Sequence, residues 1–189
     1  MISLLLLAGC AGGGGKQTGE ELARSLQEEY SRLTALTCRV ALTAEYDTKV
    51  FDCVLDVAWD NATGASLTIV EPELARGVTA RIQSGEASLQ YGDFSLETGP
   101  LTWEGMSPME VVPTLWGQIT GGYIAGAGLE GQLLEVTYRP GDDPPGVGLE
   151  ALVTFDTQSH APIAGELFSD GVRVAMVRVE DFQTMSPQG

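Results

Sequence analysis

The chain offers few side chains that could perform catalysis, and its single histidine is the first to consider. His160 stands in the segment Thr157-Gln-Ser-His-Ala-Pro162, between two predicted strands. Nucleophilic mechanisms that use a histidine base would all require it. Its neighbour Ser159 is a poor nucleophile candidate, because adjacent residues of an extended chain point in different directions. The pattern indicates a turn histidine, and we expect a protein that is not an enzyme.

Paired carboxylates and metal ligands form the next class of candidate. Asp52, Asp56 and Asp60 share one face of a predicted strand. Residues i and i+4 of a strand are about 13 Å apart, which exceeds the roughly 5–10 Å that glycosidases use. The pair Asp142-Asp143 lies in a loop without the alternating oxygen donors of a calcium site. One histidine and two core cysteines give no zinc spacing. We predict solvated carboxylates, and no catalytic residue, metal or cofactor.

Four glycines precede Lys16, which raises the question of a phosphate-binding loop. That motif needs a glycine, four residues and then Gly-Lys-Ser/Thr. Here Gly15-Lys16 is followed by Gln17, and Cys10 occupies the position of the first glycine. The motif therefore fails in both spacing and chemistry. The glycines are instead typical of a flexible tether.

The apolar run that ends at Cys10 indicates attachment to a membrane. Leu7-Ala8-Gly9-Cys10 closely resembles the lipobox of bacterial lipoproteins, whose cysteine is diacylated. Two acyl chains suffice for stable anchoring, whereas the run is shorter than the about 20 residues that span a bilayer. We expect residues 1–9 to be a signal remnant and residues 10–17 to be the lipidated cysteine and tether. The alternative is a buried N-terminal segment with an incidental cysteine.

The net charge of the chain restricts the classes of partner that it can bind. There are 26 acidic and 10 basic residues, giving a net charge of −16, and no Lys or Arg occurs between Arg81 and Arg139. Such a surface repels nucleic acid, so we expect no nucleic-acid partner. A hydrophobic content of 43% with three tryptophans argues against disorder. We predict one folded domain over residues 18–184, an extracytoplasmic location, and a flexible tail at 185–189.

Two further cysteines, Cys38 and Cys53, invite a disulfide in an exported protein. Both fall on the apolar faces of two successive predicted strands. A hairpin turning about Glu45-Tyr46 would place them opposite each other. Another register would offset the two cysteines, and a disulfide between them would then be strained. In that case both would be ordinary buried thiols.

The elements around these residues follow from periodicity and capping. Thr18-Gly19-Glu20-Glu21 is a capping box, and a helix is predicted over about 19–34. Ser107-Pro108 starts a second, largely apolar helix that should run to about Ile119. Strands are predicted at about 36–46, 49–60, 65–71, 76–83, 86–91, 93–98, 132–139, 149–156, 162–169 and 171–180. The order predicts an α+β domain in which a single curved antiparallel sheet covers two helices.

Large aromatic residues cluster around the predicted meander and the second helix. They could line an apolar cavity between the sheet and the helices, or they could fill a core that has no cavity. The candidate cavity residues are Trp59, Tyr91, Phe94, Trp103 and Trp116.

Over residues 18–184 the layout resembles the LolA/LolB lipoprotein-carrier superfamily. The resemblance rests on the first helix, the meander with LTIVEPELARGVTARI and GEASLQYGDFSLETGPL, the apolar second helix and the closing hairpin LFSDGVRVAMVRVEDF. It implies an open half-barrel sheet with the helices inside. The glycine-rich segment after Cys10 also resembles the lipid-anchored germination proteins of the GerS type.

That resemblance implies two alternative functions. The first is a membrane-tethered, non-enzymatic module that binds a protein of the envelope or cell wall, in sporulation or germination. The second is a carrier or sensor that binds a lipid acyl chain. A carrier should have an apolar cavity with small residues at its mouth, whereas a module should have an exposed apolar patch or edge strand.

Overall fold

The structure is a computed structural model that describes residues 18–46, 49–83, 86–100 and 107–185. Within these ranges the chain forms two α-helices, one short 3₁₀-helix (Glu73–Ala75) and eleven strands. The α-helices are α1 (Gly19–Ser31) and α2 (Pro108–Gly121). The strands are β1 (Ala35–Tyr46), β2 (Lys49–Asp60), β3 (Gly64–Glu71), β4 (Thr79–Gln83), β5 (Glu86–Tyr91), β6 (Phe94–Pro100), β7 (Tyr123–Glu130), β8 (Leu133–Arg139), β9 (Leu149–Asp156), β10 (Pro162–Ser169) and β11 (Val172–Met185).

All eleven strands belong to one antiparallel sheet in the order β6-β5-β4-β3-β2-β1-β11-β10-β9-β8-β7. The pairing of β1 with β11 joins the two hairpin-connected halves at the centre, with a bulge between Thr37 and Arg39. The sheet does not close, since β6 and β7 do not pair with each other in the described ranges. The predicted α+β class, with a curved open sheet and two helices, is confirmed.

Both helices begin as the sequence predicts. The Thr18 hydroxyl accepts from the Glu21 amide at 3.2 Å, while the Glu21 carboxylate accepts from the Thr18 amide at 2.9 Å. At the start of α2, the Glu110 carboxylate accepts a hydrogen bond from the Ser107 amide. Pro113 lies inside α2 without ending it. Neither described helix is long and apolar enough to cross a bilayer.

The core lies between the sheet and the two helices. From α1, the buried residues Ala23, Leu26 and Tyr30 lie at helical spacing, and Val111 and Leu115 are buried on α2. They belong to one continuous apolar cluster with the inward-facing residues of the sheet.

The set of strands predicted from the sequence is wrong at one point, because residues 123–130 form an additional strand, β7. This segment, YIAGAGLE, is glycine-rich and has a weak intrinsic preference for a strand. Pairing with β8 imposes the extended conformation on it.

The two inner cysteines are not bonded to each other. The register pairs Tyr46 with Lys49, so Cys38 lies opposite Val57 and not opposite Cys53. Cys53 and Val57 are at positions i and i+4 of β2, which is about 13 Å along a strand. That separation exceeds the about 7 Å limit for bridged Cα atoms. Both thiols are free and half-buried against the core, so the disulfide expectation is wrong because the hairpin turns later than Glu45-Tyr46.

Candidate functional site

A cavity of about 490 Å³ lies between the sheet and α2. Its walls come from both halves of the sheet and from one side of the helix. The apolar residues that line it on the sheet are Leu36, Val40, Val57, Trp59, Ala65, Leu67, Ile82, Val153, Pro162, Ala164, Val177, Val179 and Phe182. Those on α2 are Val112, Pro113, Leu115, Trp116 and Ile119. Such a surface suits an apolar ligand.

Two tryptophans from different elements meet at the cavity wall. The ring centroids of Trp59 on β2 and Trp116 on α2 are 5.6 Å apart, with the rings tilted by 49°. Trp116 also lies 5.3 Å from the ring of Tyr30 on α1. The Tyr30 ring in turn stacks on Phe182 of β11, with the centroids 6.0 Å apart. These contacts connect both helices to the sheet, since aromatic pairs favour such tilted and offset geometries.

Small residues are part of the cavity lining, and Gly117 on α2 is exposed, so the cavity opens to solvent there. Gly64 and Ala65 at the start of β3 also line it and are half-buried. A side chain at Gly64 would be excluded, because its φ is +83° and a Cβ there would lie 2.1 Å from the carbonyl oxygen of Ile82. At Gly117, by contrast, a Cβ would meet no atom within 4 Å. Gly117 therefore leaves open space at the entrance.

The inner end of the cavity is closed by a close approach of α2 to the sheet. Gly165 on β10 is buried, and a Cβ there would lie 3.2 Å from Cδ1 of Leu115 and 3.1 Å from Cγ2 of Val177. The absence of a side chain at Gly165 therefore lets the Leu115 side chain reach the sheet. Leu115 and Val177 are both buried, so they form a floor away from solvent.

Few polar residues border the cavity. Asp60 at the end of β2, Asn61 in the turn that follows and Cys38 on β1 are among the described lining residues. The Asp60 Oδ1 accepts from the Ala62 amide at 2.8 Å and the Thr63 amide at 3.1 Å. These hydrogen bonds hold the pKa of Asp60 below its usual value. Burial raises the pKa of the Cys38 thiol to about 12.

The predicted cavity residues divide into three groups. Trp59 and Trp116 line the cavity as expected. Tyr91 and Phe94 do not, because the hairpin of β5 and β6 lies at the far end of the sheet, where their side chains are 59% and 82% exposed. Trp103 lies outside the described residues, as does Cys10.

Sequence reasoning missed the small residues that shape the cavity. Gly64 stands where the chain turns from β2 into β3, but the need for glycine there depends on the position of Ile82 on β4. Gly117 and Gly165 gave no signal of their own, because their importance depends on which element faces them. Phe182 was visible as an apolar residue of the closing hairpin, yet its contact with Tyr30 required the central pairing of β1 with β11.

His160 connects the turn between β9 and β10 to α1. Its Nδ1 lies 2.8 Å from Oε2 of Glu29, and the Tyr30 hydroxyl donates to its carbonyl oxygen at 2.7 Å. Asp156 stabilises the same turn by accepting from the amide and hydroxyl of Ser159, both at 2.7 Å. Ser159 therefore bonds to Asp156, as a turn residue does. In the part of the chain that the structure describes, no group of His, Cys, Asp and Glu could hold a metal ion.

A second surface feature is an exposed apolar edge, formed by Tyr91, Phe94 and Leu96 on β5 and β6. Phe94 is 82% exposed and Leu96 is 65% exposed. Strand β6 carries two of these residues and, within the described ranges, hydrogen-bonds to β5 and to no other strand. The opposite edge differs, since α1 packs on β7: a Cβ at Gly19 would lie 3.0 Å from the carbonyl oxygen of Ala127.

Comparison with known proteins gives a likeness of fold. No protein-family model matches the chain, and no curated protein matches it. Among solved structures, an uncharacterized conserved protein of Thermus thermophilus is 10% identical with a TM-score of 0.51, covering 88% of this chain and 89% of that chain.

Two further solved structures have lower TM-scores. The LolA superfamily protein NE2245 from Nitrosomonas europaea is 14% identical with a TM-score of 0.44, covering 88% of this chain and 94% of that chain. The structure of the CwlD amidase from Clostridioides difficile in complex with the GerS lipoprotein matches at 15% identity and a TM-score of 0.45, covering 89% and 97%. At these identities the resemblance of this chain to LolA-like lipoprotein domains concerns the fold.

Proposed function

We propose that this protein is a membrane-anchored, extracytoplasmic, non-enzymatic binding protein that holds a lipid acyl chain in the cavity between the sheet and α2. The observation that carries the proposal is an apolar cavity of about 490 Å³ whose lining includes the small residues Gly64, Ala65 and the exposed Gly117. This volume falls within the roughly 300–1,000 Å³ of ligand pockets. Of the two functions weighed from the sequence, the cavity favours the acyl-chain carrier.

The walls supply the free energy of binding through burial of methylene groups. Each methylene transferred from water contributes about 0.8 kcal/mol, and the lining offers no charged group except Asp60 in its described part. Trp59 and Trp116 form flat apolar surfaces on opposite elements. A flexible acyl chain can follow such a cavity, since it needs no hydrogen-bond partner along its length.

Native mass spectrometry of the full chain, extracted under mild conditions from a bacterial membrane, tests this function. We expect an adduct with the mass of an acyl lipid. Phe94→Ser is the matched control, because Phe94 lies outside the cavity and its loss should leave the adduct unchanged. A clean mass without adduct for the wild-type chain would contradict the proposal.

The anchor is the second part of the proposal. We expect Cys10 to carry the acyl chains and residues 10–17 to act as the tether between the membrane and the domain. Incorporation of labelled palmitate should be lost in Cys10→Ala and retained in Cys53→Ala, whose thiol belongs to the folded domain. Equal labelling of wild type and Cys10→Ala would rule out this anchor.

A protein partner is the second candidate function, and the exposed apolar edge favours it. Unpaired strand edges with apolar side chains can bind an added strand from another chain. Leu96 on β6 is the position to test, because a lysine there would hinder strand addition. The partner would be a protein of the envelope or cell wall.

Crosslinking in cell-envelope preparations distinguishes a specific protein partner at this edge from non-specific binding. Wild type and Val172→Lys should give the same crosslinked protein, since Val172 is exposed on a different part of the sheet. Leu96→Lys should lose it. A crosslinking pattern that Leu96→Lys leaves unchanged would contradict a partner at this edge.

A further inference from the structure

The loops at one end of the sheet carry exposed apolar side chains. Because the strands are antiparallel, alternate connections lie at the same end of the sheet. Four of these connections, β1–β2, β3–β4, β8–β9 and β10–β11, form what we call the loop rim. Each has an exposed apolar residue: Val50, Leu74, Val147 and Val172, respectively. We propose that the loop rim is a membrane-contacting surface, whose apolar side chains enter the outer layer of a lipid bilayer.

The four connections are neighbours in space. The Gly148 amide donates to Oδ1 of Asp170 at 2.8 Å, which joins the β8–β9 loop to the β10–β11 turn. Beside that turn, Nη2 of Arg173 lies 3.5 Å from Oε1 of Glu45 at the end of β1. The β3–β4 loop follows on the other side of β2, since β3 pairs with β2. The loop rim therefore extends across both halves of the sheet.

The connections at the opposite end of the sheet have a different composition. The β2–β3, β7–β8 and β9–β10 connections consist of small and polar residues, Asn-Ala-Thr at 61–63, Gly-Gln at 131–132 and Thr-Gln-Ser-His-Ala at 157–161. The fourth, at 84–85, lies outside the described residues. The exposed apolar side chains at that end belong to strands, namely Leu129, Leu133 and Met185.

The apolar residues of the loop rim therefore require an explanation. Turns normally use glycine and polar residues, whereas Leu74 is 99% exposed and Val172 is 66% exposed. A single exposed apolar residue would be ordinary, but a group of them on neighbouring loops marks an interaction surface. The β5–β6 hairpin turns at the same end of the sheet, and its exposed side chains form the apolar edge described above.

A lipid bilayer is the partner that suits this arrangement. Strands β1 to β4 and β8 to β11 each pair on both sides, so the loop rim offers no free strand edge to a protein segment in the described ranges. Its apolar side chains stand on separate loops. A fluid lipid surface can accept separate side chains without a complementary shape, and their burial in it is favourable.

Attraction between opposite charges is not the driving force. Basic side chains at the loop rim form ion pairs within the protein, Arg76 with Glu73 at 2.8 Å and Arg139 with Glu150 at 2.7 Å. Clusters of unpaired Lys and Arg are what attract a protein to anionic lipid. Apolar contact therefore drives the docking of this rim, and zwitterionic lipid should suffice for it.

The proposed tether keeps the domain within reach of the bilayer, and this step rests on the proposed anchor at Cys10. The segment 10–17 extends at most about 29 Å. Helix α1 begins where Gly19 packs against the carbonyl group of Ala127 on β7. Ala127 is about 13 Å from the loop-rim end of β7 and about 10 Å from its other end. Either end of the sheet can thus meet the membrane, and the apolar loops determine which one does.

The accessibility of introduced cysteines in the full chain tests the proposal. Leu74→Cys and Val147→Cys sample the two halves of the loop rim. Gln158→Cys is the matched control, because Gln158 is exposed in the β9–β10 turn at the opposite end. The measurement is the rate of reaction with a maleimide-polyethylene glycol, with and without phosphatidylcholine vesicles. The chain without an introduced cysteine gives the background of the native thiols.

We expect vesicles to slow the reaction at Leu74→Cys and Val147→Cys by about tenfold, since burial of one Leu or Val side chain favours the inserted state by at least about that factor. The rate at Gln158→Cys should not change. Unchanged rates at both rim positions, in a chain that sediments with the vesicles, would overturn the loop rim and leave the anchor standing.

Three other outcomes would also overturn the proposal. Slower reaction at Gln158→Cys in place of the rim positions would put the opposite end of the sheet on the bilayer. Slower reaction on envelope membranes, but not on protein-free vesicles, would assign the loop rim to a protein partner. A chain that does not sediment with vesicles would contradict both the loop rim and the anchor.

Discussion

The rings of Trp59 on β2 and Trp116 on α2 meet with their centroids 5.6 Å apart. This contact connects the second helix to β2, while the helix also packs on β1, β8, β9 and β10, and both tryptophans line the cavity. Trp116 also contacts Tyr30 of α1. The position of α2, and therefore the shape of the cavity, depends on a small number of aromatic contacts.

Trp116→Ala should destabilise the domain. The substitution removes ring contacts with both Trp59 and Tyr30 and enlarges a cavity that already exists. Large-to-small changes of this kind cost about 3–5 kcal/mol in a full core, so we expect about 2–4 kcal/mol at this half-buried position. Urea denaturation measures the change. Leu74→Ala, at a 99% exposed side chain, should change the free energy of unfolding by less than about 0.5 kcal/mol, and similar losses in the two variants would contradict the prediction.

Gly117 allows the mouth to be closed without disturbing the fold. Gly117→Ala should raise the free energy of unfolding by about 0.5–1 kcal/mol, because glycine is a poor helix former and the added Cβ meets no atom within 4 Å. Gly117→Leu should fold as well, but its longer side chain should occupy the entrance. We expect binding of a fluorescent acyl probe to be retained in Gly117→Ala and reduced at least about tenfold in Gly117→Leu. Unimpaired probe binding by folded Gly117→Leu would place the entrance elsewhere.

Alkaline pH should destabilise the domain through Cys38. Burial raises the pKa of its thiol from 9.0 to about 12, so above pH 9.0 the unfolded chain releases a proton that the folded state retains. The contribution of Cys38 to stability is therefore complete below that pH and decreases by about 1.4 kcal/mol per pH unit as the pH rises toward 12.

Urea denaturation at several values between about pH 8 and pH 10 measures this loss. The slope of stability against pH should be smaller in Cys38→Ala than in wild type. Burial also raises the pKa values of Tyr30 and Tyr138, so part of the decline above about pH 10 should remain in the variant. Identical slopes in the two proteins would show that the Cys38 thiol is not protected.

Tyr30→Phe should weaken the connection between α1 and the turn at His160. The variant keeps the ring contacts with Trp116 and Phe182 and removes the hydrogen bond to the His160 carbonyl oxygen. A lost hydrogen bond of this kind costs about 1 kcal/mol, measurable by chemical denaturation. Tyr123→Phe, at an exposed side chain on β7, should show no change beyond about 0.5 kcal/mol. Equal effects would indicate that the hydrogen bond does not contribute.

The sequence predicted the elements whose signals are local. The capping boxes at Thr18 and Ser107 define both helix starts, and strict alternation defines β1 and β2. Strand β7 was missed because Gly126 and Gly128 weaken its pattern, and only its pairing with β8 makes it a strand.

The residues of the cavity were predictable only in part, because only some of them have a local signal in the sequence. Trp59 and Trp116 were correctly placed because they lie on the apolar faces of their elements. The prediction that Tyr91 and Phe94 line the cavity was wrong. Alternation indicates the two faces of a strand, but it does not indicate whether a helix covers either face. The relation of Cys38 to Cys53 depended on the register, which shifts when the turn moves by one residue.

The pairing of β1 with β11 determines when, during synthesis of the chain, the sheet can be completed. Strand β11 follows the other ten strands along the chain, so the half formed by β1 to β6 cannot join the half formed by β7 to β10 until β11 has been synthesised. Contacts of such long sequence separation are slow to form. The cavity has Val57 from one half and Val177 from the other on its walls, so it exists only after this final pairing. A ligand can therefore be loaded only into a finished domain, and not into a nascent chain.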